Sequence, residues 1–376
     1  MLTYFNISNA QGYKINKVVI DAGHGGNDPG CLGSKTKEKD VALSIALKLG
    51  KYIEKNITDV EVIYTRTTDV FVELFKRAQI ANENKADLFI SIHCNGSPSS
   101  KSNGSETYVM GLHKSQANLN VAQKENASIL MEDSYSNNYD GFDPASTEAY
   151  IIFSLYQNAY LDQSLSLAAN VEKQMKEKVG IFDRGVKQAG FLVLYKTAMP
   201  SILVEAAFLT NLKDEAFLAT VKGQELMASA IYRAFKAYKN DVEKVSITSN
   251  NQNIPALIEN DDTNTYSKIV KDSLSSSQVV DIKGDTLNNN LVFKIQFATS
   301  SKKLALNSPE FKGLEVETYY HNNIFKYLTG NEFSSKGAIS LLEKVRNIGF
   351  KDAFIVGFLN KERISPQEVV KLLKKN

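Results

Sequence analysis

Two histidines and one acidic residue in the N-terminal part of the chain have the types and positions of metal ligands. His24 follows a short aliphatic run within residues 18–30, and such a run predicts a buried parallel strand. His93 stands near the end of a second apolar segment, residues 88–95, and Glu38 begins a segment with helical spacing. Side chains at the carboxyl ends of parallel strands meet at one edge of a sheet. Three such ligands leave one position open for water, as in catalytic zinc sites. The alternative for residues 23–26 is a glycine-rich turn with an incidental histidine.

The elements around these residues predict an α/β domain. Strands and helices alternate from residue 18 to residue 95, which predicts a mostly parallel twisted sheet flanked by helices, with right-handed crossovers. The expected helices cover about residues 38–53, 72–84 and 223–238, and the further strands cover residues 59–64, 105–110, 190–194 and 201–205.

Several motifs follow one another in a fixed order between about Lys17 and Tyr238. They are DAGHGG at 21–26, DPG at 28–30, Glu38-Lys39, Thr65-Arg66, Arg77 with Ala81-Asn82, ADLFISIH at 86–93 and PSILVE at 200–205. In these motifs the chain resembles the zinc-dependent N-acetylmuramoyl-L-alanine amidases of the Amidase_3 family. The resemblance implies Zn2+ as cofactor, with His24, Glu38 and His93 as its ligands, and Glu205 as the catalytic residue.

Two departures from the family pattern concern small residues. Cys31 and Cys94 stand where small residues are usual, and Ala206-Ala207 replaces a small residue followed by glycine. Zinc accepts thiolates, but the family pattern places the ligands elsewhere, so we interpret both cysteines as small apolar residues. Neither departure removes a group that the implied mechanism needs.

The implied mechanism is hydrolysis of the amide between N-acetylmuramic acid and L-alanine in peptidoglycan. Zinc lowers the pKa of a bound water and polarises the carbonyl, and Glu205 takes the proton and passes it to the leaving amine. Asp21 is expected to orient a ligand histidine or to cap the turn, and Arg184 to contact substrate. The alternatives are a peptidoglycan-binding protein without catalysis and a zinc hydrolase of another stem-peptide amide.

Residues from about 112 to 183 form an insertion that a minimal amidase domain does not require. Helices are expected at about 116–131 and 147–178, with an acidic stretch between them. The insertion is similar to the regulatory segment of division-associated amidases. This similarity implies that Glu125 is an inhibitory metal ligand and that a protein activator binds the 147–178 helix. The alternative is that Glu125 is a solvated residue on a helix face.

Composition restricts the remaining functional classes. The 44 Lys and Arg residues nearly balance the 42 Asp and Glu residues, so a nucleic-acid partner is not expected. No apolar run is long enough to span a bilayer. Residues 1–16 are apolar at first and lack a basic start, and we interpret them as an incomplete signal peptide, with a disordered terminus as the alternative. A signal peptide implies export to the periplasm or cell envelope.

The C-terminal part of the chain predicts a second domain. Residues 241–290 have the Ser, Asn, Asp, Thr and Lys content of a flexible linker. Residues 291–376 predict a small α+β module, which resembles a SPOR domain in Gln296, Phe325-Lys326-Tyr327 and Gly330. The resemblance implies binding of peptidoglycan glycan strands that lack peptides, through Gln296, Phe325 and Tyr327. Core packing is the alternative use of the aromatic residues.

Overall fold

The computed structural model describes most of residues 14–250 and 291–364. The described residues are 14–112, 115–133, 138–139, 142–146, 149–150, 153, 160–250, 291–300, 302–321, 324–350, 353–364, 368–369 and 372. The expected N-terminal segment, except its last three residues, and the expected linker from residue 251 onward lie outside them, as does most of 147–159. The chain divides into two compact units, and each contains one β-sheet.

The first sheet carries the predicted ligands. Its strands are β1 (Lys17–Ala22), β2 (Glu61–Tyr64), β3 (Leu88–Asn95), β4 (Ser105–Met110), β5 (Asp183–Ala189) and β6 (Ser201–Phe208). Their order is β2-β1-β3-β6-β4-β5. The pairs β1–β2, β1–β3 and β3–β6 are parallel, whereas β4 is antiparallel to β6. The predicted α/β class is confirmed, and β4 reverses direction because no helical crossover separates it from β3.

The helices between residues 38 and 250 are α1 (Glu38–Asn56), α2 (Leu74–Glu83), α3 (Gln116–Asn126), α4 (Leu161–Gln174), α5 (Leu192–Tyr195), α6 (Leu212–Leu218) and α7 (Val221–Asn250). Helix α1 contacts β1, β3 and α7. Its buried residues recur at helical spacing, namely Val41, Ala42, Ile45, Ala46, Leu49 and Ile53. Among the described helices, none is both long and apolar enough to cross a lipid bilayer.

Three predicted elements differ from the structure. Residues 190–194 were expected to form a strand, but β5 ends at Ala189 and α5 follows, since a short apolar run does not distinguish strand from helix. Helix α7 continues to Asn250 into the expected linker, with an ion pair between Lys239 and Glu243 one turn apart. The helix expected at 116–131 ends at Asn126 and becomes a 3-10 helix, Ala127–Met131.

The second sheet lies in the C-terminal part of the chain. Its strands are β7 (Leu291–Ser300), β8 (Glu317–His321), β9 (Ile324–Glu332), β10 (Phe354–Leu359) and β11 (Glu362–Arg363), in the order β11-β10-β7-β9-β8. Helix α8 (Ser335–Asn347) contacts β7, β9 and β10. Its buried residues Ala338, Leu342 and Val345 share one core with Phe293 and Ile295 of β7. The sheet and its helix agree with the predicted α+β module.

The predicted glycan-binding residues of this module are largely buried. Tyr327 is 0% exposed and lies in the core beneath α8, where its hydroxyl accepts a hydrogen bond from the backbone N–H of Leu304 at 2.7 Å. Its expected role in stacking on sugars is therefore wrong, because the ring faces the core. Gln296 is 5% exposed and accepts a hydrogen bond from Tyr319. Phe325 is half-buried and packs against the same core.

Candidate metal centre and active site

His24 lies on the loop directly after β1 in a strained backbone conformation. Its φ is 59°, in the left-handed region that non-glycine residues seldom adopt. Strain of this kind is stored at functional sites when the surroundings enforce it. Buried Arg77 contributes to this, since it donates hydrogen bonds to the carbonyl oxygens of Ala22 and His24 at 2.7 and 2.9 Å. Arg66 donates in the same way to Ala22 and Gly23.

The three predicted ligands converge on one point. The Nε2 atom of His24 and the Nδ1 atom of His93 each lie 3.0 Å from Oε1 of Glu38. Glu38 is fully buried, and its carboxylate accepts the backbone N–H groups of Cys31 and Cys94 at 2.6 and 2.9 Å. These bonds fix the orientation of the carboxylate. The two cysteines thus contribute their backbone amides here, and both are buried.

A fourth carboxylate belongs to the same cluster. His24, Glu38, His93 and Glu125 are all buried, and one candidate ligand atom from each lies within 4.8 Å of the others. Imidazole nitrogens and carboxylate oxygens are the donors that zinc binds in proteins. The cluster is therefore compatible with a metal site.

Asp28 holds His24 in one orientation. Nδ1 of His24 lies 2.8 Å from Oδ2 of Asp28, and both side chains are buried. Because an ionised carboxylate only accepts hydrogen bonds, Nδ1 carries the proton and Nε2 keeps its lone pair for a metal. Oδ1 of Asp28 accepts the backbone N–H of Gly30. This role of Asp28 was not predicted from the sequence, although an acidic residue four positions after the histidine was the available signal.

Asp21 has a different position from the one expected. Its carboxylate accepts hydrogen bonds from Thr65, Ser91 and Arg77 at 2.6, 2.6 and 2.9 Å. Burial favours a higher pKa for Asp21, but Arg77 and the two hydroxyl groups hold its pKa below the usual value. The expectation that Asp21 accepts a hydrogen bond from a ligand histidine is thus corrected, since Asp28 has that position at His24. Through Arg77, Asp21 supports the loop that carries His24.

Glu205 stands beside the ligands on the next strand. It pairs in register with His93 of β3 on one side and with Glu106 of β4 on the other. Residues directly opposite on neighbouring strands face the same side of a sheet, so these three side chains form a row. Glu205 is 0% exposed. A buried carboxylate next to a candidate metal site has a position suited to a general base.

The carboxylate of Glu106, at the far end of this row, accepts hydrogen bonds from four side chains. Oε1 accepts from Asn95 and from the hydroxyl of Tyr108 at 2.7 and 2.8 Å, and Oε2 accepts from Arg184 at 2.7 Å and from Lys187. Burial favours a higher pKa for Glu106, but Lys187 and then Arg184 hold its pKa below the usual value. Arg184, which was expected to contact substrate, therefore lies two strands from Glu205. Neither Glu106 nor Lys187 was identified from the sequence.

The end of α3 next to Glu125 is fixed by Asn126. Its side-chain amide donates to the carbonyl oxygen of Gly190 at 2.8 Å and to the hydroxyl of Tyr150 at 3.0 Å. Its Oδ1 accepts the backbone N–H of Leu192 at 2.9 Å. Asn126 is 1% exposed, so these bonds tie α3 firmly to the turn before α5.

Known proteins are similar to the N-terminal part of this chain. The family model described as N-acetylmuramoyl-L-alanine amidase matches residues 18–237. The amidase AmiC of Escherichia coli O6:H1 is 35% identical over 230 residues, which are 60% of this chain and 53% of AmiC. The amidase AmiA of Escherichia coli K12 is 31% identical over 225 residues, or 59% of this chain and 75% of AmiA.

A solved structure gives a similar match. The catalytic domain of CwlV, an amidase from Bacillus (Paenibacillus) polymyxa var. colistinus, is 32% identical and covers 60% of this chain and 99% of its own, with a TM-score of 0.45. The chain spans about half the length of AmiC, with 53% of that protein covered. Because the family model matches more than half of the chain, the chain belongs to the N-acetylmuramoyl-L-alanine amidase family.

Proposed function

We propose that the protein hydrolyses the amide between the lactyl group of N-acetylmuramic acid and L-alanine in peptidoglycan. The observation that supports it best is the buried convergence of His24, Glu38 and His93 with Glu205 in register beside His93. The donor set fits a zinc ion, which when bound to these three residues supplies polarisation of the scissile carbonyl and a lowered pKa for the attacking water.

The residues of the chain divide the remaining tasks. Glu205 accepts the proton of the attacking water and delivers it to the leaving amine of L-alanine, as a general base and then a general acid. Asp28 keeps the proton of His24 on Nδ1, so that Nε2 remains a ligand. The backbone amides of Cys31 and Cys94 hold the Glu38 carboxylate in place. The closed packing around Glu205 strengthens electrostatic interactions at the site.

The decisive experiment is mass spectrometry of purified peptidoglycan after incubation with the protein. Glycan strands with free lactyl groups and stem peptides that begin with L-alanine support the proposal. Cleavage within the stem peptide would favour a zinc hydrolase of another amide. Binding without any cleavage, in the parent and in Glu125→Ala, would favour a non-catalytic peptidoglycan-binding protein.

We also propose that Glu125 inhibits the resting enzyme. Its carboxylate belongs to the ligand cluster and so excludes water from the open ligand position. The bonds of Asn126 to Gly190, Leu192 and Tyr150 support this, because they hold the end of α3 in one place. A protein activator that binds the segment 147–178 would favour the open state by its higher affinity for that state. The described part of this segment includes α4, which begins at Leu161. Most of residues 147–159 lie outside the described residues.

The C-terminal module, residues 291–376, is proposed to bind glycan strands that lack peptides. One face of its sheet packs on α8. A second apolar cluster in the sheet comprises Leu328, Val356 and Phe358, and Tyr319 and Phe354 pack against it. Arg363 donates to the hydroxyl of Tyr319 at 2.6 Å. Tyr319 and Phe354 are half-buried, and aromatic rings with polar neighbours suit a sugar ring, which has an apolar face and a hydroxyl rim.

These proposals place the protein at the cell wall. We propose export to the periplasm or cell envelope, with a role in cell separation or wall remodelling, since peptidoglycan lies there. We also propose the domain division 17–240 for catalysis and 291–376 for wall binding, joined by a linker that ends near residue 290. The match of residues 18–237 to the amidase family model supports the limits proposed for the catalytic domain.

A further inference from the structure

Two basic side chains beyond Glu205 have no task in the proposed reaction. Arg184 and Lys187 extend from β5, which is separated from β6 by β4. Both donate to the same oxygen of Glu106, Oε2. The other oxygen of Glu106 is occupied by the donors Asn95 and Tyr108. The carboxylate is therefore saturated, and it holds the two cations side by side.

The two cations of this group are more exposed than the carboxylate that anchors them. The side chains of Arg184 and Lys187 are 30% and 20% exposed, whereas that of Glu106 is 2% exposed. The cations are thus open to a ligand on the side away from their anchor.

Arg184 also keeps donors available in a fixed orientation. Its guanidinium carbon lies 4.9 Å from the centre of the Phe208 ring, and Nε is bound to Glu106. Nη1 has only a long contact of 3.4 Å to the carbonyl oxygen of Asn103. Within the part of the chain that the structure describes, Nη2 has no hydrogen-bond acceptor. A guanidinium that is held in place with free N–H groups is suited to binding a carboxylate.

We infer that Arg184 and Lys187, positioned by Glu106, form a subsite for a carboxylate of the stem peptide. This inference rests on the proposed amidase function, because Glu205 fixes where the scissile amide lies. Neighbouring strands are about 4.8 Å apart, so β5 lies roughly 10 Å from the strand of Glu205. An extended peptide advances about 3.4 Å per residue, so the second and third residues after the scissile bond come within reach of these long side chains.

The second stem residue has the required chemistry. In peptidoglycan this residue is D-glutamate linked through its γ-carboxyl group, so that its α-carboxyl group is either free or amidated. A free α-carboxylate would accept hydrogen bonds from Arg184 and Lys187, whereas the amide carries no charge. The subsite therefore selects for the free acid on the leaving-group side of the bond.

The experiment compares two preparations of soluble peptidoglycan fragments that differ only in whether this α-carboxyl group is free or amidated. Rates are measured for the full chain and for the full chain with Glu125→Ala, so that the proposed inhibition does not hide cleavage. Arg184→Gln and Lys187→Gln are then introduced into the Glu125→Ala chain. The matched control is Lys213→Gln, since Lys213 is exposed on α6. Metal content and circular dichroism establish that each variant is folded.

We expect kcat/KM for the free acid to exceed that for the amide by about tenfold, the ratio that a charged hydrogen bond of at least 1.4 kcal/mol gives. Arg184→Gln and Lys187→Gln should each reduce this preference, mainly by raising KM for the free acid, while Lys213→Gln keeps it. Because both cations are partly exposed, 1 M salt should weaken the preference as well.

Two results would overturn the subsite in different ways. If both chains cleave the two preparations with equal KM, or if the variants keep the full preference, the subsite is wrong while the amidase function stands. If neither chain cleaves either preparation or intact peptidoglycan, the proposed function fails and the subsite fails with it.

Discussion

Replacement of Asp28 by asparagine should weaken metal binding without removing a ligand. In the parent, Oδ2 of Asp28 accepts the proton of His24 Nδ1 at 2.8 Å, and Oδ1 accepts the N–H of Gly30 at 3.0 Å. Asparagine has only one oxygen. If that oxygen stays with Gly30, its NH₂ group faces Nδ1 of His24, which must then accept a hydrogen bond. The proton moves to Nε2, the atom that faces Glu38, and a protonated nitrogen cannot bind a metal.

The expected loss is about 10- to 100-fold in zinc affinity, the usual effect of removing the partner of a ligand histidine, or about 1.4–2.7 kcal/mol. The assay is competition with a chelator of known affinity at fixed pH, with circular dichroism of the metal-free protein as a measure of folding. Asp69→Asn is the matched control. Asp69 also accepts a loop N–H, that of Gly26, but its side chain is 49% exposed and contacts no ligand histidine in the structure described here.

The proposed role of Asp28 is wrong if Asp28→Asn binds zinc as tightly as the parent, or if Asp69→Asn loses as much affinity. Equal losses would show that general loosening of the loop, rather than the tautomer of His24, controls binding. A loss confined to Asp28→Asn would assign the effect to the proton on Nδ1.

The remaining predictions concern four other parts of the molecule. Glu205→Gln should keep near-stoichiometric zinc and lose about 10²- to 10⁴-fold in hydrolysis rate, and loss of the metal would instead make Glu205 a ligand. Glu125→Ala should raise basal activity up to about a hundredfold, if the closed state is favoured about 99 to 1, and an unchanged rate in a zinc-loaded variant would contradict inhibition. Residues 291–376 expressed alone should bind amidase-treated sacculi better than untreated ones in a pull-down, and equal binding would contradict selection for bare glycan. Burial raises the pKa of Glu172 from 4.5 to about 8, so the folded state binds this proton more tightly than the unfolded chain, and its contribution to the free energy of unfolding is lost as pH rises from about 4.5 to about 8. The free energy of unfolding, measured with denaturant at several pH values in that range, should change less with pH for Glu172→Gln than for the parent.

The convergence of His24, Glu38 and His93 could be predicted from the sequence because its signals are local. His24 and His93 each follow an uninterrupted apolar run, and such a run identifies a buried parallel strand without any knowledge of its neighbours. Glu38 begins a helix whose apolar spacing is regular over several turns. The family prediction was confirmed by the match to residues 18–237. These features need only the period of the pattern and the order of the motifs.

The features that the sequence did not predict depend on distant partners. The strand expected at 190–194 is a helix whose Leu192 N–H is bound by Asn126, a residue 66 positions away. Tyr327 stands in an alternating strand, and alternation alone does not say which face of the strand is covered by a helix. Glu106 gained its role from Arg184 and Lys187, which are about eighty residues downstream.

The polar residues of strand β4 are buried and are hydrogen-bonded to partners that lie far away in the sequence. All six of its residues are buried, although Ser105, Glu106 and Thr107 are polar, and an unpaired buried polar group is costly. The hydroxyls of Ser105 and Thr107 donate to Glu172 of α4 at 3.0 and 2.6 Å. Because successive residues face opposite sides of a sheet, Glu106 points to the other face, where it meets Arg184 and the row of Glu205. Helix α4 and the active-site row are therefore held by alternate residues of one strand, so the strand that positions Glu106 depends on the bonds of Glu172 behind it.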